Sequence, residues 1–157
     1  YTEKKALLIL DASPYFTARM GSSKEKEVDV AKTVADLASY VKRMEAERVV
    51  IDPVGPLIAS RDSAARAQEH ARVLVHSLQT YVGTTNLLTS HADSGKESGA
   101  GVEEFLVSGV VVLSVSRRQN RLIRTLLVRK LRGTAIDLTE HQFNIIKEKG
   151  IVLKPLL

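Results

Sequence analysis

Arg121-Leu122-Ile123-Arg124-Thr125-Leu126-Leu127-Val128-Arg129-Lys130-Leu131-Arg132-Gly133-Thr134 is the stretch on which the fold turns. Its apolar residues Leu122, Ile123, Leu126, Leu127 and Leu131 fit one stripe of a helix, with arginine and lysine opposite and Gly133 placed to cap it. Read as a strand, its side chains alternate with period two and put Lys130 and Arg132 on one face. Periodicity alone favours the helix slightly. In either form the segment closes a run of seven basic and no acidic residues over 117–132, which suits it to meet negative charge.

The neighbouring segments read more simply. Val110 to Val115 is a strand, and His141 to Ile146 and Ile151 to Leu153 are short later ones, joined by short turns as in an antiparallel arrangement. Residues 92–101 are a surface loop by composition, and residues 15–26 are a polar loop. In the first ninety residues, Lys5 to Asp11 reads as a buried strand stopped by Ser13-Pro14, and Arg48 to Asp52 as a second stopped by Pro53 and Gly55. Thr85 to Ser90 is a third. Between them, Val30, Val34, Leu37, Val41 and Met44 form one helical stripe. Ala67, Ala71, Leu74, Leu78 and Val82 form another within 63–82, followed by Gly83 where a left-handed cap is expected. Strands alternating with helices imply parallel pairing, so the class is α/β with a mixed, mainly parallel sheet flanked by helices in one domain over 1–157.

Composition narrows the function. A 44% apolar and 26% charged chain of 157 residues has the makeup of a globular domain with one core. The absence of cysteine removes disulfides, thiolate zinc sites and thiol catalysis, and suits a cytoplasmic protein. No apolar run approaches the ~20 residues of a membrane span. A net charge of +5 allows a polyanion partner.

Candidate chemistry lies at strand ends. Asp52, at the carboxyl end of a central strand, sits on the edge where α/β proteins bind ligands; it can orient a magnesium shell or merely end a strand before a Pro-Gly turn. Thr89, Ser90 and His91 end the next strand on the same edge, where polar residues either sense a phosphate or open a loop. His70, His76, His91 and His141 have no metal-ligand spacing, and no hydrolase elbow accompanies His91. Ser94-Gly95-Lys96-Glu97 is not a phosphate loop: the first glycine is missing and Glu97 replaces the required Ser or Thr. Lys130 and Arg132 fit paired phosphate contacts, a solvated basic face, or part of a surface for nucleic acid. Only 4% of residues are aromatic, which argues against a stacking platform for single strands.

In order along the chain, Leu8-Ile9-Leu10-Asp11-Ala12-Ser13-Pro14, Arg48-Val49-Val50-Ile51-Asp52, Gly83-Thr84-Thr85 through Thr89, Gly101-Val102-Glu103-Glu104-Phe105, and Arg124-Thr125-Leu126 to Gly133-Thr134 resemble the KaiC-like branch of the RecA-superfamily ATPases. Phe143 through Gly150-Ile151 resembles the closing strand pair of that family. The resemblance implies a RecA-like sheet and assigns 122–132 to a strand. It also implies that Asp52 is the Walker B aspartate, holding Mg through water, and that Thr89 and Ser90 face the nucleotide. Lys130 and Arg132 match the Lys-x-Arg-Gly pair that reaches ATP on a neighbouring ring subunit, with Thr134 beside it. Arg61 and Lys96 fall in loops, about 55–63 and 92–100, that face the central channel in such rings.

Two features depart from the family. Its phosphate-loop strand and helix and its catalytic-glutamate strand lie upstream of Tyr1, so this stretch alone is expected to bind ATP weakly and to have a gap or exposed edge in mid-sheet. Pro53 stands where the family usually has Ser, removing a backbone donor beside Asp52. Three functions follow from these readings: part of a ring ATPase, a hexamer as the resemblance implies, with a regulatory or signalling output; a RadA-paralogue-like DNA-binding modulator of recombination; or a non-catalytic scaffold.

Overall fold

A computed structural model describes residues 6–12, 29–59, 63–91, 102–118 and 120–154. The chain forms two compact units, Tyr1–Phe105 and Leu106–Leu157. Within the first, α1 (Val30–Met44) has the expected stripe. It begins at Asp29, whose side chain accepts the Lys32 amide at 2.9 Å, and its last turn carries Lys42 and Arg43, favourable beside the carbonyl end of the helix. β1 (Arg48–Ile51) follows, then one helical turn, α2 (Gly55–Ile58), which buries Leu57; this turn replaces the start of the loop expected after Asp52. α3 (Ala64–Ser77), capped by Ser63, runs into a π turn, Leu78–Val82, and β2 (Thr85–Leu88) then pairs with β1 in parallel.

The π turn has a packing cause. Leu74, Leu78 and Val82 step by four residues, which overshoots the 3.6-residue α turn. Widening the last turn to i→i+5 bonding absorbs the overshoot and keeps all three buried. Gly83 then closes it in the left-handed region at φ 63°, its N–H donating to the Leu78 carbonyl at 3.3 Å, as the glycine predicts. Val30, Val34, Val49, Val54, Leu57, Leu74, Leu78 and Val82 make the core of this unit.

Leu7 to Leu10, expected as a buried strand, are neither paired nor buried among the described residues. An apolar run becomes a strand only where a neighbour takes its backbone amides, and neither described sheet includes it.

The short helix α4 (Val102–Leu106) leads into the second unit. Here β3 (Gly109–Arg118), β4 (Arg121–Leu131), β5 (His141–Ile146) and β6 (Gly150–Leu153) form an antiparallel sheet in that order. The opening stretch is therefore a strand, contrary to its helical periodicity. Apolar pairs at i, i+1, i+4 and i+5 also describe a strand apolar on both faces, and β3 supplies it with a ladder from Gly109↔Leu131 to Arg118↔Arg121. The α/β class holds, with parallel and antiparallel pairing both present; the single sheet expected is divided into a parallel pair and an antiparallel four. No helix among the described residues is long and apolar enough to cross a membrane.

Candidate functional site

Asp52 stands immediately beyond the carboxyl end of β1, and Thr89 immediately beyond that of β2. Because the two strands are parallel with Ile51 opposite Leu88, both residues emerge at the same edge. The Thr89 hydroxyl donates to Asp52 Oδ1. The backbone of Thr89 also brackets the aspartate. Its N–H donates to the Ile51 carbonyl at 3.0 Å, and its carbonyl accepts the Val54 N–H at 2.8 Å. The ladder thus crosses Pro53, which lacks an N–H, by using the next amide in the chain; the Asp52–Pro53 peptide is cis. Asp52, Ser90 and His91 are exposed, and Thr89 is half-buried. A carboxylate with one oxygen held by a neutral hydroxyl keeps its acceptor capacity at the other, the arrangement needed to orient water or a cation.

Magnesium commonly takes one or two carboxylates and fills the rest of its shell with phosphate oxygens and water. Asp52 fits that requirement. Among the described residues no group of three His, Asp or Glu side chains could hold an ion by itself.

In the second unit, Lys130 lies near the end of β4 opposite Val110, and Arg132 follows Leu131, its N–H donating to the Ser108 carbonyl at 2.8 Å. The register steps from Val111↔Val128 to Val110↔Lys130, making Arg129 the extra residue of a β-bulge. Counting by twos from Leu126 and Val128 would put Lys130 on their face. The bulge transfers it to the side of Thr125 and Leu127. Arg132 lies beyond β4, in the turn that Gly133 continues, so the alternation that would put it on the face of Lys130 ends before it. Sequence reasoning missed the bulge, which no residue type there announces. It also missed Gly109: a Cβ at that position would meet Leu131 Cδ1 at 3.1 Å and the Lys130 carbonyl at 3.5 Å, so glycine permits the close approach of the β4 end. Thr134 is exposed beyond Gly133. Arg61 and Lys96 lie outside the described residues, as do the loops expected at 15–26 and 92–100.

The family model described as "ATPase: KaiC" matches residues 1–157. The chain belongs to the KaiC ATPase family. Similar proteins include a UPF0273 protein of Pyrococcus horikoshii, 30% identical over 99% of this chain and 63% of its own length. A UPF0273 protein of Thermotoga maritima is 33% identical over 94% of this chain and 61% of its own length. The circadian clock oscillator protein KaiC of Acaryochloris marina is 32% identical over 96% of this chain and 28% of its own length. Among solved structures, a KaiC-like protein of Pyrococcus horikoshii superimposes with a TM-score of 0.67 at 31% identity, covering 81% of this chain and 57% of that one. The KaiC-family chain thus spans less than two thirds of the length of these UPF0273 relatives. Its fold is that of the RecA-like P-loop ATPases.

Proposed function

We propose that the complete protein is a KaiC-like ATPase that hydrolyses ATP at the interfaces of a ring, acts in the cytoplasm, and turns hydrolysis into a regulatory change of shape. Residues 1–157 form part of one such ATPase domain, comprising its Walker B side and C-terminal strands. Asp52 orients the water shell of Mg from the Walker B position, while Thr89 and Ser90 line the same edge. Lys130 and Arg132, with Thr134 beside them, serve the nucleotide held by the neighbouring subunit. The observation that carries this reading is the Asp52–Thr89 pair at the carboxyl edge of two parallel strands, in a chain matched end to end by an ATPase family.

The division of labour follows from chemistry. Phosphoryl transfer requires positioning and charge stabilisation more than covalent help. Magnesium, when bound with nucleotide, neutralises charge on the phosphate oxygens. Asp52 supplies a fixed acceptor for its coordinated water. Lys130 supplies a compact charge and Arg132 a planar fork, both suited to phosphate oxygens.

The test is magnesium-dependent ATP turnover by the complete protein across protein concentration. Turnover per subunit that rises with concentration supports sites shared between subunits. Turnover per subunit that stays constant from dilute to concentrated protein excludes sharing through reversible assembly, and absence of turnover removes the ATPase reading. In that case, DNA affinity falling steeply with salt would favour the recombination-modulator alternative.

A further inference from the structure

Resting on the ATPase reading, we infer that Thr89 is the positioning residue of Asp52: it fixes the carboxylate, while Asp52 itself meets the coordinated water. Thr89 makes three hydrogen bonds around one aspartate. Its amide holds the residue before Asp52, its carbonyl holds the amide two residues after, and its hydroxyl holds Oδ1. Of the three, the hydroxyl bond is the one that a residue merely opening a loop would not make. The two backbone bonds fix where Asp52 leaves the strand, and the hydroxyl fixes the rotation of the carboxylate. Thr suits the second task because its branched Cβ restricts χ1 and keeps the hydroxyl aimed.

The arrangement separates two contributions by chemistry. Any residue at position 89 except proline retains both backbone bonds. Only Thr or Ser retains the hydroxyl. Asp52 Oδ1 is thereby committed to the protein, leaving Oδ2 as the oxygen for the metal's water shell. Losing the hydroxyl frees the carboxylate to rotate and weakens its hold on that shell.

The experiment compares the complete protein with Thr89→Val, Thr89→Ser and Asp52→Asn. Two quantities are read: the Mg concentration giving half-maximal turnover, and Mn affinity measured by electron paramagnetic resonance with a non-hydrolysable ATP analogue. Thr89→Val is expected to raise both half-saturation values roughly tenfold, the order for loss of one hydrogen bond to a charged group. Turnover at saturating metal should return to within a few-fold of the parent. Thr89→Ser should restore metal affinity to within about twofold, because it keeps the hydroxyl. Unchanged metal affinity in Thr89→Val, while Asp52→Asn loses it, overturns the positioning role and leaves the ATPase reading standing. Equal damage by Val and Ser, with a lowered melting temperature, assigns Thr89 to packing alone. If Asp52→Asn changes neither quantity, the magnesium-orienting role of Asp52 fails and the inference fails with it, while absence of turnover in the parent itself would remove the ATPase reading.

Discussion

Val50 lies opposite Leu87 in the parallel pair, on the face turned away from the core, and the two are 62% and 59% exposed. Their strand neighbours Val49 and Leu88 face the helices instead, Val49 within the core and Leu88 packed against it. Parallel strands are usually covered on both faces, so this pair presents an apolar surface of the kind that drives association. The 157-residue chain expressed alone is expected to bind an apolar fluorescent dye and to scatter light at moderate concentration. A Val50→Lys, Leu87→Lys double variant should lose most of both signals while its circular dichroism stays the same. Equal dye binding by the two chains would place the responsible surface elsewhere.

Packing on the opposite face of the pair makes a contrasting prediction. Leu74 is only 1% exposed and stands in the cluster with Val34, Leu78 and Val82. Leu74→Ala should cost about 2–5 kcal/mol, enough to unfold a marginal unit. Leu122, on β4, is 71% exposed, and Leu122→Ala should fall within about 0.5 kcal/mol of the parent. Denaturant melts of the two variants check the difference, and similar losses would mean that β4 is covered in solution.

What could be read from the sequence divides along one physical line. α1 was legible because its evidence is local: a stripe from Val30 to Met44 at helical spacing. β4 was ambiguous because its strand character depends on β3, a different segment, and Leu122, Ile123, Leu126 and Leu127 satisfy both periods. Leu7 to Leu10 were misread for the same reason, since an apolar run does not reveal whether a neighbour exists. At the site, Asp52 and Thr89 were each visible as polar ends of strands. Their hydrogen bond depends on the register Ile51↔Leu88, which only pairing determines. The bulge at Arg129 is likewise a property of two strands and was invisible in one.

Gly83 offers a test of the π turn. It holds φ 63°, and a Cβ added there would meet nothing within 4 Å, so the cost of substitution is conformational and not steric crowding from elsewhere. Gly83→Ala should lose about 1–2 kcal/mol, and Gly83→Asn less, because Asn tolerates the left-handed region. A melting-temperature drop of about 4–8 °C per kcal/mol is the expected scale for a unit of this size. Equal losses for Ala and Asn would show that tolerance of the left-handed backbone angle does not set the cost.

Lys130 and Arg132 carry the prediction that bears most directly on assembly. In the proposed ring each subunit contributes Asp52 to one site and Arg132 to the next. Arg132→Ala in the complete protein should lower kcat on the order of 10³-fold while nucleotide affinity changes little, because such a residue acts mainly on charge that develops during transfer. Arg132→Lys should recover only part of the loss, since a point charge cannot reproduce the planar fork. Lys130→Ala should lower kcat in the same direction. Mixing then separates action within a subunit from action across an interface. Asp52→Asn and Arg132→Ala should each be nearly inactive alone. Combined in equal amounts in a freely exchanging ring, they would create an intact pairing at about a quarter of interfaces, and turnover should reappear to about that extent. If both residues served the same site from the same chain, no mixed ring would contain an intact site. Turnover in the mixture no greater than the sum of the two variants, with exchange confirmed by tagged subunits, would exclude the interfacial role.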